Sequence, residues 1–101
     1  MKYNKLVRDK IPEIIKENGD TSVTHIASEK EYEEKLKAKL REEVEEFLEN
    51  ENEGELIDIL EVINAICEVK SIDKNQLEEK RKEKYEKRGG FKSRIILEET
   101  K

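Results

Sequence analysis

Two short acidic runs carry the side chains best suited to chemistry: Arg41-Glu-Glu-Val-Glu-Glu-Phe47 and Glu55-Leu-Ile-Asp-Ile-Leu-Glu61. The apolar residues around them recur at helical spacing, so each run can be projected at about 100° per residue. In the first, Glu43 borders the stripe of Leu40, Val44 and Phe47, and Glu46 lies next along the same side. Glu42 projects nearly opposite the stripe and Glu45 off its other side, so both read as ordinary solvated charges. In the second run, Glu55 falls within the arc of Ile59, Val62 and Ile66, with Asp58 at its edge. An unpaired charge on the buried side of an apolar helix is costly, so these placements call for a partner.

Only a short break, Asn52 to Gly54, separates the two runs, which makes their helices antiparallel neighbours. The pairs Glu43/Glu46 and Glu55/Asp58 then face each other, each pair sharing a side of its helix. Four carboxylates brought together repel. A divalent cation resolves that repulsion, and an all-oxygen donor set favours Mg²⁺ or Mn²⁺. A metal held in this way neutralises phosphate charge and activates water for in-line attack, so Glu43, Glu46 and Asp58 are the candidate catalytic groups. The plain alternative is that a chain with 26 acidic residues produces such spacings by chance. Glu55, three residues after Asn52, also suits a helix cap.

The elements that must position these groups are mainly helical. A basic opening segment, Met1 to Lys10, carries Lys2, Lys5, Arg8 and Lys10. A short helix follows, with Pro12 in its first turn and Gly19 at its end. Thr21 to Ala27 alternates and is rich in β-branched residues, predicting a strand. Ser28 with Glu31 forms a capping-box pattern and opens a helix to about Asn50, apolar at Leu36, Leu40, Val44, Phe47 and Leu48. A second helix is expected from about Glu55 to Lys70, apolar at Leu56, Ile59, Leu60, Ile63 and Ile66. Asp73 caps a third, almost wholly polar helix to about Lys87, suited to the surface or to a partner; Gly89-Gly90 ends it. Ile95-Ile96-Leu97 is a candidate second strand, able to pair with Val23 to Ala27. The expected fold is one mainly α domain over residues 1–101: an antiparallel helical bundle with a small two-stranded β element.

Charged residues make up 47 % of the chain. Leu, Ile, Val and Phe nevertheless number 26 of 101 residues, above the floor of roughly one-fifth below which chains stay unfolded. The core is small, and a second copy would bury what one cannot. The net charge of −5 argues against a nucleic-acid partner, which requires a basic surface. A lone cysteine, Cys67, excludes an internal disulfide and fits a buried core position. No run approaches the ~18 residues of a membrane span, and no signal core precedes the domain, so a cytoplasmic location is expected. No P-loop motif and no Ser/His or Cys/His grouping is present.

Glu42-Glu-Val-Glu-Glu46 followed by Glu55-Leu-Ile-Asp58 resembles the EExxE…ExxD signature of the all-α nucleotide pyrophosphatases, the superfamily of MazG, dimeric dUTPases and phosphoribosyl-ATP pyrophosphohydrolase. The opening Tyr3-Asn-Lys-Leu-Val-Arg-Asp-Lys-Ile-Pro-Glu-Ile-Ile15 and the Arg88-Gly-Gly-Phe91 segment resemble a small MazG-like branch, described as phosphoribosyl-ATP pyrophosphohydrolase-like or as house-cleaning enzymes. The resemblance spans nearly the whole chain. It implies hydrolysis of a nucleoside triphosphate to monophosphate and pyrophosphate, Mg²⁺ at Glu43, Glu46, Glu55 and Asp58, and a homodimer or homotetramer. The loop between the two motifs is shorter here than in larger relatives, so the walls of their base pocket are not expected and the substrate base stays open.

Beside such a site, Lys5 and Arg8 are expected on phosphate oxygens. Lys84, Lys87, Arg88, Lys92 and Arg94 form a second basic cluster around Gly89-Gly90, and Lys84 and Arg88 are its candidates for the substrate. Its plain reading is a helix end with favourable cations. His25, the sole histidine, reads as structural, and Tyr3, Tyr32, Tyr85 and Phe91 as packing residues before base-stacking ones. The alternative function is a non-catalytic helical module that binds a nucleotide or a protein through the same surface.

Overall fold

The computed structural model describes residues 3–101; Lys2 of the opening basic segment lies outside them. Four helices follow in order, α1 (Ile11–Glu17), α2 (Glu29–Asn50), α3 (Glu53–Val69) and α4 (Lys74–Arg88). Their ends obey local chemistry. Gly19, at φ +88°, ends α1, with its N–H donating to Lys16 O at 3.0 Å and the Asp20 N–H to Ile15 O at 3.1 Å, the paired bonds of a Schellman turn. Ser28 Oγ accepts from the Glu31 N–H at 3.2 Å, and Asp73 Oδ1 accepts from the N–H groups of Asn75 and Gln76 at 2.8 and 3.2 Å. Only half of the α2 capping box forms, because the Glu31 carboxylate turns to His25 Nε2 at 2.9 Å.

The break between α2 and α3 falls earlier than the expected Asn52 to Gly54. Glu51 adopts φ +52° and closes α2, its N–H donating to Phe47 O. Asn52 caps α3, accepting the Glu55 N–H at 3.4 Å. Gly54 lies inside the first turn of α3. A left-handed glutamate thus makes a reversal for which glycine is the usual residue.

α2 and α3 pack on each other as antiparallel neighbours: Leu36 and Lys37 near the start of α2 lie beside Ile66, Val69 and Lys70 at the end of α3. Among the described residues the buried apolar ones are Leu36, Val62 and Cys67. Leu48, expected on the buried face of α2, is 70 % exposed, and Leu56, Leu60 and Ile63 on α3 are exposed as well. The cause is circumferential. α3 is apolar on two sides, Ile59, Val62 and Ile66 on one and Leu56, Leu60 and Ile63 on the other, and α2 covers one.

Among the described residues there is no strand, which corrects the expected two-stranded element. Val23, Ile26, Ile95, Ile96 and Leu97 are all exposed. An isolated two-stranded ribbon is marginal in water and needs a third strand or an apolar face to cover; neither segment has one. Every residue of α4 is exposed, as its polar sequence predicts. The radius of gyration is 18.1 Å, against the ~13 Å of a globular chain this long. No helix among the described residues is long and apolar enough to cross a membrane.

Candidate functional site

α2 and α3 pack side by side across the short link, and the candidate acidic residues are divided between them. Glu43, in the middle of α2, is 5 % exposed and is the one buried charged residue among those described. Its Oε1 receives Lys39 Nζ at 3.3 Å, from one helical turn earlier. Its Oε2 is buried without a hydrogen-bond partner. Glu46 stands next to it, half-buried. The charge of Glu43 beside it, and the proton the two carboxyls can share, raise the Glu46 carboxyl above its ordinary value of 4.5. These observations describe two states of one pair. With both groups ionised Glu43 Oε2 has no donor, and a proton on Glu46 supplies one.

On α3, Glu55 is half-buried. Its Oε1 accepts from Asn50 Nδ2 at 3.1 Å across the link, while its Oε2 is buried and unpartnered. The carboxylate therefore does not close a capping box with the Asn52 N–H. Asp58, one turn on, has a side chain 42 % exposed, and Arg8 Nη2 donates to its Oδ1 at 2.7 Å.

The segment before α1 crosses this acidic face. It is held by Arg8 on Asp58, by Lys5 Nζ 3.4 Å from Glu42 Oε1, and by Lys35 Nζ donating to the Asn4 carbonyl at 2.7 Å. Glu42 is not the solvated charge that projection assigns it. Its side chain is 33 % exposed between Lys5 and Lys39, because the segment covers a side of α2 that helical periodicity leaves bare. Glu45 is exposed as expected.

The other candidates are placed elsewhere. Lys84 and Arg88 lie on α4, fully outside the α2–α3 pair, and make no ion pair among the described residues. His25 sits in an irregular exposed segment, not on a strand, and holds Glu31. Tyr3, Tyr85 and Phe91 are exposed instead of packed, and Lys5 Nζ lies 5.7 Å from the Tyr3 ring centre. Two contributors escaped the sequence reading. Lys39 was visible as the residue four before Glu43, a spacing that pairs charges on a helix. Asn50, at a helix end, carried no such signal.

The donors present are chemically suited to a hard divalent cation, because two buried carboxylate oxygens on facing helices, Glu43 Oε2 and Glu55 Oε2, lack a partner. They do not form a closed ligand shell: among the described residues no three acidic, histidine or cysteine side chains converge as a ready set. Asp58 is engaged by Arg8, and Glu55 by Asn50. The chain matches no protein-family model, no curated protein and no solved structure.

Proposed function

We propose that the chain is a Mg²⁺-dependent nucleotide pyrophosphohydrolase of the MazG-like kind, cleaving a nucleoside triphosphate to monophosphate and pyrophosphate. The observation that carries the reading is the pair of unpartnered buried oxygens, Glu43 Oε2 and Glu55 Oε2, on helices that face each other beneath a basic segment. Buried polar atoms are nearly always satisfied, so each of these oxygens is a place where a proton or a cation is wanted. Glu43, Glu46, Glu55 and Asp58 are the ligands. Mn²⁺ suits the same oxygens. A bound Mg²⁺ supplies neutralisation of the phosphate charge and a more acidic attacking water. With the metal bound, one of the glutamates, Glu43 or Glu46, would take the proton from that water. Lys5 and Arg8 bind phosphate oxygens, with Lys84 and Arg88 reaching a substrate only if a second copy brings α4 to the site.

Self-association belongs to the same reading. Three buried apolar side chains are a thin core for the described residues, and the Leu56, Ile57, Leu60 and Ile63 side of α3 is exposed at helical spacing. A homodimer or homotetramer covers it. That same exposed side favours the second reading, a non-catalytic module that binds a nucleotide or a protein partner. The two readings part on turnover. Pyrophosphate release is measured over a panel of standard and base-modified nucleoside triphosphates and phosphoribosyl-ATP, with Mg²⁺, Mn²⁺ or EDTA. Metal-dependent release, lost in Asp58→Asn, is the expected result. Ligand binding without release, and without response to Mg²⁺, would assign the binding module.

A further inference from the structure

Two apolar surfaces of the chain have no cover, and both lie outside the α2–α3 contact. One is the outer side of α3, where Leu56, Leu60 and Ile63 recur at helical spacing with Ile57 beside them, all exposed. Exposed Glu53 and Glu61 project to its rim. The other is the arm that follows α4. Phe91 is 98 % exposed, and Ile95, Ile96 and Leu97 are at least 76 % exposed, so the arm does not lie on the chain's own α3. α4 stands between the two. Its 15 residues span ~22 Å, every one of them is exposed, and the packed helices are α2 and α3.

We infer that the outer side of α3 is covered by the arm of a second copy, residues 91–97, in a reciprocal exchange that seats each chain's arm on its partner. Charge chooses this occupant. α3 carries five acidic residues and no basic one. α4 carries seven basic residues against four acidic, and Lys92 and Arg94 continue the excess into the arm. Two α3 helices set face to face would bring like charges together, which costs affinity. The arm instead brings Lys92 and Arg94 to the rim of Glu53 and Glu61, while Ile95, Ile96 and Leu97 meet Leu56, Leu60 and Ile63. An apolar centre inside a charged rim is the usual anatomy of a protein interface. Because patch and arm belong to the same chain, one twofold axis satisfies both copies and closes the assembly as a dimer. The inference rests on the self-association proposed above and on neither the metal nor the nucleotide. It also says what the partner contributes: the exchange carries the basic end of α4, with Lys84 and Arg88, towards acidic helices that these residues stand clear of in their own chain.

The test is sedimentation equilibrium of the intact chain and two variants, Leu60→Glu, which spoils the patch, and Ile96→Glu, which spoils the arm. Both positions are exposed, so the helical circular dichroism is expected to be unchanged. Each variant alone is expected to dimerise at least ~10-fold more weakly than the wild type. An equimolar mixture of the two is expected to associate more tightly than either variant with itself, because the sound arm of one meets the sound patch of the other. Higher salt is expected to weaken the wild-type dimer, since it screens the opposite charges that pair arm with rim. An Ile96→Glu chain that dimerises like the wild type while Leu60→Glu does not would overturn the exchange and leave self-association standing. A mixture no tighter than its components would overturn the exchange as well. A wild-type chain that stays monomeric across the concentration range would overturn self-association and the exchange together.

Discussion

Replacing Glu43 by Gln sets stability against function in a way that tests the proposed site directly. In the wild-type chain the Glu43 side chain is 5 % exposed, one oxygen lacks a partner, and Glu46 stands beside it. A buried unsatisfied acceptor of this kind costs ~1–3 kcal/mol. The amide of Gln keeps the shape, removes the repulsion from Glu46 and supplies an N–H donor to it. Against this stands the weakened contact with Lys39, a pair on one helix face worth ~0.2–0.5 kcal/mol. The net expectation is a gain of about 1 kcal/mol, which for a domain of this size raises Tm by ~5 °C. The measurement is thermal unfolding in EDTA by circular dichroism, at one fixed protein concentration so that any self-association affects both proteins alike. Repeated with Mg²⁺ at 100 times its Kd, the wild-type chain gains ~2.7 kcal/mol from ligand linkage. The variant gains little and loses pyrophosphate release. A Tm in EDTA below that of the wild type would refute the reasoning, because it would make Glu43 a structural acceptor whose burial Lys39 already offsets.

Three further outcomes are expected. The Glu46 carboxyl is raised above 4.5, so between that value and its raised one the folded chain holds more protons than the unfolded chain, and stability falls as pH rises through this window. Over the same window Mg²⁺ affinity measured by calorimetry rises, because the proton must leave before the metal enters; affinity flat with pH would remove Glu46 from the ligand set. On α3, Leu60→Glu is expected to dissociate the proposed oligomer while changing the helical content little, since Leu60 is 64 % exposed in the single chain and exposed substitutions alter stability by about 0.5 kcal/mol or less. Sedimentation that leaves the variant associated would move the contact to another face.

Local chemistry was readable and non-local chemistry was not. Ser28, Asn52, Asp73 and Gly19 act within three or four residues of themselves, and each caps or ends a helix where the sequence indicates. The period of Leu40, Val44 and Phe47 sets Glu43 at the border of the apolar stripe, but the structure buries Glu43 and exposes Val44, so the packed face is turned toward Glu43 from the one the period marks. The strands failed on a non-local need. Alternation in Thr21 to Ala27 states a preference, but a strand exists only with a partner, and the chain offers Val23 and Ile26 none. Glu42 was misjudged because the groups that hold it include Lys5, 37 positions away, where no periodicity reaches. The split between the two sides of α3 was hidden too, since its sequence is apolar on both and does not say which one α2 takes.

The link at Glu51 and Asn52 carries a consequence for how this chain tolerates change. Because α2 passes into α3 through a left-handed Glu51 and a capping Asn52, with Asn50 bonded across to Glu55, the placement of Glu43 and Glu46 relative to Glu55 and Asp58 is counted out in residues along the chain. It does not depend on the shape of Leu36 or Val62 far from the link. Apolar positions are therefore free to drift by many small exchanges while the four carboxylates keep their places. One residue added at the link would turn α3 by about 100° and carry Glu55 and Asp58 out of line at a stroke. Mutational tolerance here should be generous to substitution and unforgiving of insertion.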